Sequence, residues 1–340
     1  MLTYKNIIIQ TIKEKGVIDL YTYMKLCQTH AASGYYRHKP ASSIVGADGD
    51  FITASHISPL FGEMIAFWVV VQWERLGKPS QLNIIELGGG QGELMEQVLR
   101  TLQKLASFQA EITVHFVEIN PEFRALQAEK AAPFAAVFQH ESLSFLSTLM
   151  MPVLMIANEF FDAMPVRQWV YKEAQWHEVG VGLGDKSLLQ WVYTPCDAKP
   201  DNLEYAPDTE EIMQQLGGHL HQHGGAALVI DYGYWDGNGD SVQAVYQHQY
   251  VRILDYPGEA DLSAHVHFKK MAEGLETYRL QYAYQTQRQF LLDHGILLRL
   301  EQVCCQLSSC KAKLLRQGVD RLISSAQMGE LFKVLQIWKI

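Results

Sequence analysis

The spacing of apolar and polar positions changes several times along the 340-residue chain. Over residues 1–30, apolar positions including Ile8, Ile12 and Leu20 recur at helical spacing and predict a helical start. A loop rich in Gly, Ser and Pro follows from Ser33. Ser58 then fits an N-cap and Pro59 a first helical position, with an apolar pattern continuing to Trp73. Next, short apolar runs alternate with helical patterns. "LNIIEL" (82–87), "EITVHFVEI" (111–119), "AAVFQH" (135–140) and "PVLMIANEF" (152–160) read as strands. Helices are expected between them, at 93–105 and from Pro121. This alternation predicts an α/β fold with a mostly parallel, Rossmann-like sheet covered by helices on both faces.

The alternation breaks after residue 165. Segments 166–183 and 187–195 show period-two patterning, an antiparallel hairpin inserted into the α/β order. A helix over about 207–223 leads to "GGAALVIDYGYW" (224–235), a further buried strand. Residues 236–260 read as loop, 261–274 and 285–317 as helices, and "GELFKVLQIWKI" (329–340) as an edge strand. The expected organisation is an N-terminal helical segment and covering loop at 1–75, then one α/β domain at 76–340. That domain carries an insertion at about 166–222 and a substrate-side region at about 235–300.

Composition narrows the class. Hydrophobic residues make up 48% and charged residues 19%, ordinary for a globular protein, and the formal net charge is −9. No dense Lys/Arg stretch appears, which argues against a nucleic-acid partner. The five cysteines form no C-x-x-C pair and no metal set at zinc spacing, so no metal is expected. The N-terminus lacks a signal-peptide pattern and no apolar run approaches membrane-span length. A cytoplasmic location is therefore expected, with the oligomeric state left open, a homodimer among the options.

"ELGGGQGEL" (86–94) is the most specific chemical signal. Glycines at a strand-to-helix junction permit positive φ and let a ligand touch bare backbone. The loop lacks the Lys-Ser/Thr of a phosphate loop, and it breaks the G-x-G-x-x-G dinucleotide pattern. What remains is E-x-G-x-G-x-G: Glu86, Gly88, Gly90 and Gly92. A glutamate there suits a cation, such as the sulfonium and ammonium of S-adenosyl-L-methionine (SAM). Glu118, beyond the second strand, suits a ribose diol and fits SAM or NAD equally. Beyond the third strand, Glu141 or Ser142 falls where an adenine edge would lie.

At "ANEFFDAMPVRQW" (157–169) the pattern becomes particular. This segment resembles the MidA-like family of SAM-dependent methyltransferases, which includes the mitochondrial complex I assembly methyltransferase. "GDFITASHISPLFGE" (49–63), "VEINPEFRALQ" (117–127), "VIDYGY" (229–234) and "PGEADLSAHVHF" (257–268) carry the same resemblance, in order along the chain. It implies a class I methyltransferase fold, SAM at the glycine loop with Phe51 and Thr53 closing over it, and a protein arginine substrate. Gly89, Gln91 and Glu93 replace the family's usual proline, arginine and threonine, and Arg288 replaces a glycine. Methyl transfer needs an aligned nucleophile, excluded water and a proton acceptor. Glu159 and Asp162 are placed to grip a guanidinium, Asn158 to contact the substrate nitrogen and His265 to face the pocket, while Asp231 is expected to line the substrate channel. The rival expectation is a SAM-binding assembly factor with little catalytic activity.

Overall fold

Apolar runs buried on both faces form the centre of the molecule. The computed structural model describes residues 4–340 apart from Val45, Ala47, Asp48, Phe51, Ala198 and Asn238. The main strands are β1 (Gln81–Leu87), β2 (Glu111–Val117), β3 (Ala136–His140), β4 (Val153–Asn158), β5 (Gly225–Tyr234), β6 (Gln281–Thr286) and β7 (Phe332–Lys339). The helices used below are α1 (Tyr4–Lys15), α2 (Leu20–Thr29), α3 (Pro59–Arg75), α4 (Glu93–Lys104), α5 (Pro121–Ala131) and α6 (Pro207–His223). Across the sheet the order is β3-β2-β1-β4-β5-β7-β6, and the short strand Val266–His267 extends the end of β5. Strands β1 to β5 are parallel, while β7 runs antiparallel between β5 and β6.

Side chains alternate between the two faces with the pleat. Leu154 and Ile156 of β4 join Ile84, Leu228 and Ile230 under α3 and α4. Met155 and Ala157 join Ile85, Val229 and Leu335 under α6. The sequence-level start of α3 is realised as expected: the Ser58 hydroxyl accepts from the Leu60 N–H at 3.3 Å, with Pro59 at the first helical position. Such a cap contributes about 1 kcal/mol. The chain leaves β1 toward β2 and β3 in one direction, then returns to add β4 and β5 on the other side. That reversal lies between β1 and β4, where an open α/β sheet leaves a crevice for ligand.

Four local expectations are corrected. The segment 1–30 is two helices, α1 and α2, divided by Gly16 at φ +80° and by Ile18–Asp19 pairing with Gly180 and Val181. The C-terminal strand is interior, because "QYAYQT" supplies β6 outside it; that strand mixes Gln and Tyr without an apolar run. Residues 236–260 hold a hairpin, Gln243–Tyr246 against Gln249–Val251. Asp261–Ser263 is a strand beside that hairpin, and the helix starts only at Phe268.

The insertion holds three antiparallel strands, Arg167–Lys172, Gln175–Leu183 and Leu189–Cys196. Ile8, Ile12, Leu20, Tyr23 and Met24 pack with Val166, Val181, Ala260 and Leu262 into a separate small core. The N-terminal helices, the insertion and the 243–263 segment thus build one layer above the carboxyl ends of the sheet.

Candidate active site

The glycine loop follows directly from β1. Gly88, Gly90 and Gly92 take φ of +60°, +49° and +80°, a region that L side chains rarely adopt. The Gly92 N–H donates to the Gly89 carbonyl at 2.8 Å and α4 begins at the next residue. A Cβ on Gly88 would stand 2.6 Å from the Phe160 ring, so the loops after β1 and β4 meet there. Glu86 is 2% exposed and its Oε2 has no hydrogen-bond partner. Burial, with Glu118 nearby, pushes its carboxyl up to about 8. The Glu118 Oε1 accepts the Asn120 N–H at 2.8 Å. Gln127 donates to the Gly90 carbonyl at 2.9 Å and reaches Glu118 Oε2 at 3.4 Å, tying the glycine loop to this carboxylate. Burial raises Glu118 to about 7.

The loop after β4 carries the second group of acids. Glu159 takes φ +52°, held by its own N–H on the Ile230 carbonyl at 2.9 Å. Its Oε1 accepts from the Ala54 N–H and from Asn158 Nδ2, both at 3.1 Å. The Asn158 Oδ1 is buried without a partner. Burial raises Glu159 to about 7. Asp162 also rises to about 7, mainly through burial; a hydrogen bond with Tyr232 opposes the rise and Glu159 adds to it. His265 lies edge-on to Tyr232 at 5.5 Å, and burial lowers its ring pKa.

These two loops face a single cavity of about 720 Å³, whose walls run from Thr29 to Phe332. It brings together Thr53, Glu86, Gly88, Gly90, Glu118, Glu141, Asn158, Glu159, Asp162 and His265. Other expected residues sit elsewhere. Gly92 serves the start of α4. Ser142 is exposed, and its hydroxyl accepts from the Ser144 N–H at 3.4 Å in the turn after β3, outside the cavity wall. Glu141, within the cavity wall, is half exposed and pairs with Arg37 at 3.3 Å and Arg124 at 3.5 Å. Phe51 lies outside the described residues. Asp231 does not line the channel: it is 0% exposed and lies behind the β4 loop. Period-two alternation explains this, since it puts Asp231 on the face of Val229, beneath that loop.

Three wall residues were not singled out from sequence. The Tyr36 hydroxyl donates to buried Asp261 at 2.5 Å, and burial raises Asp261 to about 7. His56 Nδ1 meets the Thr53 hydroxyl at 2.8 Å. Asp261 sits in a motif noticed for its histidines, whereas nothing local marks Tyr36.

The cavity fits SAM on three observations. Bare backbone at positive φ gives room for close approach, the N-terminus of α4 opens toward it, and Glu86 Oε2 is a buried acceptor without a donor. A volume of about 720 Å³ lies within the usual range for small-ligand sites. Fold and site together define a SAM-dependent methyltransferase. Residues 64–285 match the family described as "Putative S-adenosyl-L-methionine-dependent methyltransferase", and the chain belongs to this family. It is 32% identical to the rat protein named "Protein arginine methyltransferase NDUFAF7, mitochondrial", covering 94% of this chain and 81% of that protein. The Xenopus tropicalis protein of the same name is 30% identical, with 98% and 85% covered. A Burkholderia thailandensis protein crystallised with S-adenosyl-homocysteine shares the fold, with TM-score 0.83, 24% identity, and 99% of this chain and 92% of that chain covered.

The expected cytoplasmic location is corrected, because these curated relatives are named as mitochondrial proteins. Composition and a missing signal-peptide pattern carry no such address. Among the described residues, no helix is long and apolar enough to cross a membrane.

Proposed function

We propose that the chain is a protein arginine N-methyltransferase. One observation carries the reading. Eight carboxylates line the cavity: Glu86, Glu93, Glu118, Glu141, Glu159, Asp162, Asp208 and Asp261. Among the described residues no lysine or arginine lines it. Glu93, Glu141 and Asp208 pair with Lys130, Arg37 and Lys25 set back from the wall; the other five form no ion pair among the described residues, and they select cations on both sides of the transfer, a sulfonium donor and a guanidinium acceptor. The names of the curated relatives support the same substrate.

SAM supplies a methyl group on a positively charged sulfur that departs as a neutral thioether. The chain does the rest. Glu118 accepts from the ribose diol, Glu86 faces the ammonium, Thr53 closes one side and Glu141 stands toward the adenine. Glu159 and Asp162 accept two N–H groups of the guanidinium and leave one nitrogen turned to the methyl group. Asn158 Oδ1, unpartnered in its place, accepts a further N–H. The lost proton passes to Asp162 or Glu159, each poised near pH 7. His265 stands beside Tyr232 in the same wall. Phe160, Met164 and Tyr232 keep water out. The N-terminal segment, the insertion and the 235–300 region shape the entry for a protein segment.

Incubation with methyl-labelled SAM and arginine- or lysine-containing peptides tests this. Arginine peptides should carry the label. Glu159→Gln should lower turnover by about a hundredfold or more while S-adenosyl-homocysteine affinity stays within about threefold. Label on lysine alone, or unimpaired turnover by the variant, overturns the reading.

A further inference from the structure

The segment that bears the proposed reacting acids is held in an unusual way. Glu159 is a non-glycine residue at φ +52°, and Phe160 follows in the right-handed region at φ −119°, ψ −42°. A left-handed residue next to a right-handed one turns successive N–H groups to the same side, a concavity that binds anions. Here the concavity is filled from within the chain. The Asp231 Oδ2 accepts from the N–H groups of Phe160 at 3.2 Å, Phe161 at 2.9 Å and Asp162 at 3.2 Å. Its Oδ1 accepts the Tyr232 N–H at 2.9 Å. The preceding residue on β5 adds the bond from the Glu159 N–H to the Ile230 carbonyl at 2.9 Å.

A carboxylate with 0% exposure is costly to keep in a fold unless its acceptors are used. This one meets four N–H groups, three of them from one loop. A non-glycine residue at positive φ likewise persists only where its surroundings dictate it. The two anomalies explain each other: the buried carboxyl group organises the turn, and the turn aims Glu159 and Asp162 into the cavity.

We propose that Asp231 is the positioning residue of the methyl-transfer site, a built-in carboxyl group that fixes the 159–162 turn without touching substrate or SAM. This rests on the assignment of Glu159 and Asp162 as the groups that hold the acceptor. Burial first, then the neighbouring Asp162 and Glu159, pushes the Asp231 carboxyl well above the usual carboxylate range, and the N–H groups of Asp162 and Tyr232 oppose that rise.

Asp231→Asn keeps the shape and turns one of the two acceptors into a donor against the loop N–H groups. The expected result is a kcat lower by about a hundredfold, as for a reacting group displaced by about 1 Å. Affinity for S-adenosyl-homocysteine, read by calorimetry, should stay within about threefold, since the glycine loop and Glu118 do not touch Asp231. A merely structural residue would lower melting temperature, cofactor affinity and kcat together; this result overturns the proposal. So does a folded variant with kcat within about threefold of the parent. Asp231→Ser, with one acceptor left, should fall between the two. If both variants fail to fold, Asp231 serves stability alone and the proposal is overturned. The parent enzyme on the same arginine peptide keeps the tests apart: no transfer by the parent refutes the arginine reading, whereas active parent and active variant refute only the role of Asp231.

Discussion

Gly92→Ala puts the glycine loop to a quantitative test. Gly92 sits at φ +80°, and a Cβ built on it would stand 3.0 Å from the Cα of Gln127, a backbone atom of α5. Two costs follow. Holding alanine in the left-handed region costs about 1–2 kcal/mol. Pushing a packed helix back by a few tenths of an ångström costs about 1–2 kcal/mol more. The sum is about 2–4 kcal/mol. For 340 residues that corresponds to a melting temperature lower by about 3–6 °C. The displacement has a second effect, because Gln127 is the link between the Gly90 carbonyl and Glu118. Loosening it should weaken S-adenosyl-homocysteine binding by about tenfold, the worth of one hydrogen bond to a charged group. Scanning calorimetry reads the first effect and titration calorimetry the second. Gly77→Ala is the control: it shares the conformation at φ +81°, but its Cβ would meet nothing within 4 Å. It should lose only the conformational part, with unchanged binding. If Gly92→Ala matches Gly77→Ala in both measurements, contact between the glycine loop and α5 does not govern the site, and the reasoning fails.

Two further outcomes follow from the buried acids. Glu118→Ala should weaken S-adenosyl-homocysteine binding by about tenfold to a hundredfold through loss of a charged acceptor; unaltered affinity in titration calorimetry removes Glu118 from the ribose. The pH dependence has a definite sign. Glu118 and Glu159 rise from 4.5 to about 7 and Glu86 from 4.5 to about 8. With folded values above unfolded ones, the native state binds more protons, so the ligand-free protein should lose stability as pH rises from about 4.5 to about 8. A bound cation favours the ionised forms, so SAM binding near pH 7 should release protons. Titrations in buffers of different ionisation enthalpy measure this, and proton uptake refutes it.

Legibility followed burial pattern. Strands β1 and β4 are buried on both faces and stand out as unbroken apolar runs, so the strand ends and their acids could be placed. Strand β6 could not, because an outer strand that mixes Tyr and Gln has no such run. Motif spacing located Glu86, Glu118, Glu159 and Asp162, since each sits at a strand end that the topology turns toward one crevice. It misjudged Asp231, whose strand position was right but whose direction depends on the pleat. The Tyr36–Asp261 bond spans 225 positions, and no local pattern announces a pairing of that range. The backbone at Glu159 was hidden for another reason: a non-glycine residue gives no hint of positive φ.

The span of the cavity wall, from Thr29 to Phe332, has a consequence for how the protein behaves as a whole. Segments so far apart must all close their loops before the pocket exists, which places this chain among slow folders of high contact order. A fragment or half-assembled intermediate carries only part of that wall. Bound ligand therefore acts on complete unfolding rather than on local fraying, and its protective effect grows with the logarithm of its concentration above Kd. A melting curve taken with ligand is then a gauge of the integrity of the entire architecture.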